Sequence, residues 1–278
     1  MILQQEVYPG QVGMAQASGG EEEEGNGRDA EEWFREGTHL VTVGRYLEGI
    51  RAFERALGIR PGETRYLVAL GMAVDRLGFF NHALSLAEQA VAAAPLSPDG
   101  WFVRGLALYR LGRYTSATEC LGHGVKLLPD HAEAWFFKGN SHYLMGEIEE
   151  SILCFDRVLE ISPRYPKALY NRGVSLADLG RFEEAADTYR ACISMNPGVA
   201  VVLTNLGVCL ANLGHFDESI RCFEQALDID LRDPLTWHNK GLVLSKLGRE
   251  EEAIACFERY RDLAGNHPSR DVDLRPFR

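Results

Sequence analysis

The 278-residue chain has no stretch approaching the roughly 18 uncharged apolar residues that a membrane-spanning helix needs. Its first twenty residues contain no Lys or Arg ahead of an apolar run, so the layout of a secretory signal is missing. The chain is therefore expected to be cytoplasmic, with no membrane as partner. Cationic charge is scarce: 29 Lys and Arg stand against 40 Asp and Glu, a formal charge of -11. A sequence-independent grip on nucleic acid needs a basic face to displace counterions from phosphates, so no nucleic acid is expected either. Cysteine is sparse, 6 residues with no pair at the two-residue spacing of a zinc or redox site. That excludes a disulfide scaffold and leaves no expected metal. The 8 histidines are scattered, none forming a helical pair beside a Glu at protease spacing, and no Gly-rich phosphate loop carries Lys with Ser or Thr. Neither a cofactor nor a catalytic residue is expected.

What the chain does contain is repetition. Gly37, Gly71, Gly105, Gly139, Gly173, Gly207 and Gly241 stand 34 residues apart, and a second ladder seven residues behind runs Gly44, Gly78, Gly112, Gly146, Gly180, Gly214 and Gly248. Pro61, Pro95, Pro129, Pro163 and Pro197 keep the same period, which then gives way to Leu231 and Gly265. Seven units (30–63, 64–97, 98–131, 132–165, 166–199, 200–233 and 234–267) follow one another without insertion or deletion. Ahead of them, residues 1–29 carry Glu6, Glu21 to Glu24 and Asp29 against Arg28 alone. Gly-rich and without period, this segment has too little apolar area to offset its ordering entropy and reads as a disordered acidic tail. Residues 268–278 form a short C-terminal tail.

Within each unit the apolar residues recur at spacings of three and four, the helical period. In the third unit Trp101, Leu106 and Leu108 mark a first helix closed at Leu111 and Gly112, where Gly can take the left-handed cap conformation. Ala117, Leu121 and Val125 mark a second, stopped near Pro129. Pro98, Pro166 and Pro234 open later first helices, with Ser97 and Asp233 placed as N-caps before two of them. The first Gly ladder falls mid-helix, where each glycine costs roughly 1 kcal/mol relative to Ala. A close helix contact explains seven such costs, because the facing position is also small: Gly49, Ala83, Ala117, Ser151, Ala185, Ser219 and Ala253. All four tryptophans, Trp33, Trp101, Trp135 and Trp237, share one repeat position, which marks them as core. Phe53, Phe155, Tyr189, Phe223 and Phe257 share another.

This pattern of Trp or Leu, Gly, a turn Gly, Ala, Phe, Ala and Pro on a 34-residue period resembles the tetratricopeptide repeat family. The resemblance covers residues 30–267 and implies an all-α fold, a right-handed α-solenoid superhelix of tandem antiparallel helix hairpins whose first helices line a concave groove. One departure stands out. Before the mid-helix Gly, where the family has an aliphatic residue, five units carry Glu36, Arg104, Lys138, Arg172 or Lys240, long stems placed to lie over the neighbouring helix.

On the groove face, Asn171, Asn205 and Asn239 form a ladder in the last three units, and Asn140 lies one turn further along the fourth unit's first helix. An amide both donates and accepts, so such a ladder can hold an extended peptide backbone whatever its side chains. It resembles the ladder in the repeat domain of protein O-linked N-acetylglucosamine transferases. Towards the middle of the array the same face turns aromatic, with Phe102, Tyr109, Phe136, Phe137, Tyr143 and Tyr170 placed to anchor a partner's apolar side chains. Arg65, Arg76, Arg110 and Lys167 interleave with Asp75, Asp99, Glu133 and Asp178, so no single-sign stripe forms. The carboxylate clamp of the family's chaperone adaptors is not expected, since Phe136 precedes Asn140 and Val201 and Asn205 stand where Lys and Arg are required. The expected function is a non-enzymatic scaffold that binds a peptide segment of another protein in its groove. The alternative is a self-assembling homo-oligomer joined through the last repeat, near Ile254, Phe257 and Tyr260.

Overall fold

The structure of the chain, a computed structural model, describes residues 28–265. The acidic segment before Arg28 and the tail after Gly265 lie outside the described residues. Every regular element among them is an α-helix, and the helices fall into two compact units. The first holds α1 (Ala30–Thr42), α2 (Tyr46–Ile59), α3 (Thr64–Arg76), α4 (Phe80–Ala93), α5 (Pro98–Arg110), α6 (Tyr114–Leu127) and α7 (Ala132–Leu144). The second holds α8 (Ile148–Ile161), α9 (Pro166–Asp178), α10 (Phe182–Met195), α11 (Ala200–Asn212), α12 (Phe216–Ile229), α13 (Pro234–Lys246) and α14 (Glu250–Ala264). Odd-numbered helices are the first helices of their repeats and even-numbered ones the second.

The punctuation read from the sequence sets these boundaries. Each glycine of the turn ladder, from Gly44 to Gly248, has φ between 73° and 84°, a conformation that a side chain would strain. Pro98, Pro166 and Pro234 each occupy the first turn of a helix, where a missing N–H is harmless. The Ser97 hydroxyl accepts from the Gly100 N–H at 3.2 Å, and the Asp233 carboxylate accepts from Leu235 and Thr236. Asp29 and Glu32 close a reciprocal capping box on α1. His131 caps α7 through Nδ1, which accepts from the Ala134 N–H at 3.2 Å.

Five of the mid-helix glycines sit under a large side chain of the partner helix, whereas Gly71 meets the Val103 methyl of α5. A methyl added to Gly207 would stand 2.6 Å from the Phe223 ring, and the Tyr189, Phe257 and Phe53 rings lie as close over Gly173, Gly241 and Gly37. In the third repeat Leu121 does the same over Gly105. The small facing residues complete the contact: the Gly49 carbonyl crowds Gly37, and the Ser219 hydroxyl donates to the Gly207 carbonyl at 2.7 Å. The tryptophans do more than fill space. The indole N–H of Trp101, Trp135 and Trp237 donates to the carbonyl of Pro95, Pro129 and Leu231 at 2.8–3.0 Å, so each ties its first helix to the turn six residues earlier. Three of the charged residues before the mid-helix Gly reach back to the second helix of the preceding repeat. Lys240 pairs with Glu224 at 2.8 Å, Arg172 with Asp156 at 2.5 Å, and Arg104 approaches Glu88 at 3.9 Å.

Candidate functional site

Within each unit the first helices of successive repeats approach one another, α1 with α3, α3 with α5 and α5 with α7, then α9 with α11 and α11 with α13. Within either unit no two second helices come within 8 Å between Cα atoms. Each unit is therefore narrower on its first-helix side, which makes that side the inner face.

In the first unit the inner face is aromatic and tightly packed. Phe102, Tyr109 and Phe136 are buried, and their ring centroids lie 6.3, 5.3 and 5.4 Å from that of Phe137, which stays half-buried. The His131 ring closes on Phe102 at 4.6 Å. Asn140 is buried as well, and Tyr143 is half-buried. The Arg110 guanidinium lies over the Phe137 face at 5.9 Å with its Nε 3.9 Å from the Asp75 carboxylate. Burial raises the Asp75 pKa above the ordinary carboxylate value, against the lowering pull of Arg110 and Arg76.

The second unit presents amides and aliphatics instead. Asn171 and Tyr170 are buried, whereas Asn205 and Asn239 are half-buried on the inner face. Asn205 donates from Nδ2 to the Tyr170 hydroxyl at 3.4 Å. Burial pushes that phenol up to about 12, partly offset by the Asn205 bond, so it stays neutral. Around the amides stand residues the sequence reading passed over: Val201 and Leu235, 36% and 38% exposed, with Val208 and Leu242 half-buried a turn or two further. They follow from counting four back and three forward from Asn205 and Asn239, which stays on one face of α11 and of α13. Burial raises the thiol pKa of Cys120, Cys192, Cys222 and Cys256, and that of Cys209 to about 12, which keeps them protonated and poorly nucleophilic.

Tandem helix hairpins with close-packed inner faces define an α-solenoid repeat protein. Family comparison gives the particular one. Residues 68–120, 166–232 and 235–267 match tetratricopeptide repeat families, and 139–180 matches a further TPR repeat family. The chain belongs to the tetratricopeptide repeat family. No curated protein sequence matches it. Among solved structures it is similar to YrrB, described as a TPR protein with an unusual peptide-binding site, at 18% identity and a TM-score of 0.60 over 65% of this chain and 93% of that one. A similar likeness holds to residues 41 to the end of MamA from Desulfovibrio magneticus RS-1, with 18% identity, a TM-score of 0.60, 62% of this chain and 97% of that one. A tetratricopeptide repeat protein from Parabacteroides merdae ATCC 43184 covers 86% of this chain with 95% of its own length, at 17% identity and a TM-score of 0.60. At these identities the likeness is one of fold. Among the described residues no helix is long and apolar enough to cross a membrane.

Proposed function

We propose that this protein is a cytosolic, non-enzymatic scaffold that holds a peptide segment of a partner protein on its inner face. The observation that carries the reading is the surface shared by α11 and α13. There Asn205 and Asn239 stand half-exposed between two aliphatic rows, Val201 with Leu235 and Val208 with Leu242. The amides supply donor and acceptor groups for the peptide backbone, and the aliphatic rows take apolar side chains on either side. The buried aromatics Phe102, Tyr109, Phe136 and Tyr170, with Asn140 and Asn171, act from behind, fixing the distance between first helices. Tyr143 and Phe137 are the aromatic surface left for a ligand in the first unit. The peptide-binding description of YrrB fits this reading.

Affinity capture from host lysate tests it, run with the wild type, with Asn205→Ala plus Asn239→Ala, and with Val201→Asp plus Leu235→Asp. A specific partner lost from both folded variants supports the inner face. A partner retained by both moves the site to another surface. Recovery of the protein alone turns the reading towards self-assembly, for which Ile254, 56% exposed on the last helix, is the surface to mutate.

A further inference from the structure

The ion pairs between repeats follow a rule of their own. A basic residue at one position of the first helix pairs with an acidic residue 16 positions earlier on the preceding second helix: Arg104 with Glu88, Arg172 with Asp156, Lys240 with Glu224. Lys138 occupies the same position in the fourth repeat, and 16 positions before it stands Gly122. The acid is missing and so is its whole side chain. A Cβ built on Gly122 meets nothing within 4 Å, and Lys138 forms no ion pair, its Nζ resting 4.9 Å from the centre of the Trp135 ring.

Beside Gly122 lies an open surface depression of about 420 Å³ between α6 and α7, lined by Gly122, Trp135 and Lys138 and by the exposed Glu119, His123 and Lys126 among others. That volume lies in the lower part of the roughly 300–1,000 Å³ range of small-ligand pockets. Two lysines converge on it in a protein whose formal charge is -11. Glu119 is the one acid on the wall and is not within ion-pair distance of either lysine.

We propose that this broken rung is a binding site for a carboxylate-bearing ligand, which supplies from outside the group that Glu88, Asp156 and Glu224 supply from within. Lys138 is its primary cation, held in place by the Trp135 face, and Lys126 its second. The other rungs meet this position with a carboxylate, which is the reason for assigning a carboxylate rather than a phosphate to it. The ligand is either a small organic acid or an acidic side chain of a partner protein; both bring the same group to the same lysine. The site is separate from the inner-face reading and stands without it.

The test is a two-dimensional amide and indole NMR titration of the full chain with sodium glutarate, with an acetylated di-glutamate amide, and with sodium phosphate, each against sodium chloride at equal ionic strength. Saturable shifts at the Gly122 amide and the Trp135 indole are expected from a carboxylate probe, glutarate alone pointing to a small acid and the peptide alone to an acidic protein segment. Lys138→Gln is expected to weaken binding by about tenfold. Gly122→Glu rebuilds the rung internally and is expected to abolish binding while raising the thermal midpoint. Lys240→Gln, whose lysine already has Glu224, leaves binding unchanged. Shifts no larger than those of chloride overturn the proposal, as do phosphate binding more tightly than either carboxylate and a folded Gly122→Glu variant that binds like the wild type.

Discussion

The two units run on the same 34-residue period and yet solve the contact between repeats with different chemistry. From α1 to α7 the junctions are aromatic: Phe34 stacks on Tyr66 at 4.7 Å, and Phe102, Tyr109 and Phe136 gather around Phe137. From α8 to α14 they are studded with buried hydroxyls. Ser151 meets Ser175 at 2.9 Å and Thr204 meets Thr236 at 2.6 Å. The period fixes backbone spacing through the glycines and turns, and leaves the filling of the junction free. Because each hydroxyl is paired, the polar junctions escape the desolvation penalty that an orphaned group would carry.

Four measurements sharpen or break this comparison. The largest effect is expected at the side chain that covers the mid-helix glycine, which both units share: Phe223→Ala should cost about 3–5 kcal/mol and Leu121→Ala about 2–5 kcal/mol. Amide hydrogen exchange localised to each repeat reads both. Next, Gly207→Ala should cost about 1–3 kcal/mol by overpacking against the Phe223 ring. Gly71→Ala should cost less, because its nearest obstacle is the Val103 methyl at 3.1 Å and the substitution gains helix propensity; urea unfolding that reverses this order breaks the shared-contact argument. Third, Thr204→Val and Thr236→Val should each lose about 1 kcal/mol, with the double variant losing less than their sum because one bond is shared. Strict additivity in that double-mutant cycle means the hydroxyl pair contributes nothing to the junction.

The smallest effect is electrostatic and belongs to the first unit. Asp75 has its pKa raised by burial, so the native state holds that proton more tightly than the unfolded chain does. Its contribution to stability is therefore present below the unfolded value near 3.8 and is lost as pH rises through the raised native value. Asp75→Asn should flatten that part of the stability profile, as followed by thermal melts across the acidic range. A profile identical to the wild type places the slope on other groups.

Much of this was legible in the residues alone. Glycine at the turns, proline at the first turns and Ser97 or Asp233 ahead of them mark helix boundaries because each acts through its own backbone chemistry within a few residues. The site was legible only by face. Phe102, Tyr109, Phe136 and Tyr170 were placed on the side towards the groove, but whether a ring there is covered depends on the tilt of the next hairpin, which no single repeat encodes. The same holds for Asn205, whose bond to Tyr170 joins residues 35 positions apart. Nor does a sequence period reveal that the indole N–H of Trp101 finds the Pro95 carbonyl, since that bond needs the bend between repeats to be in place first. The broken rung at Gly122 was visible as a letter, and acquired meaning only once Lys240, Arg172 and Arg104 were seen reaching their acids.

Among the described helices of either unit, each second helix touches only its neighbours along the chain, and each first helix touches those and the first helix one repeat away. Tension applied at the two ends is therefore not shared by the whole molecule. The load falls on one junction after another, and the chain should lengthen hairpin by hairpin, with the weakest junction yielding first and neighbouring hairpins able to close again when the pull is released.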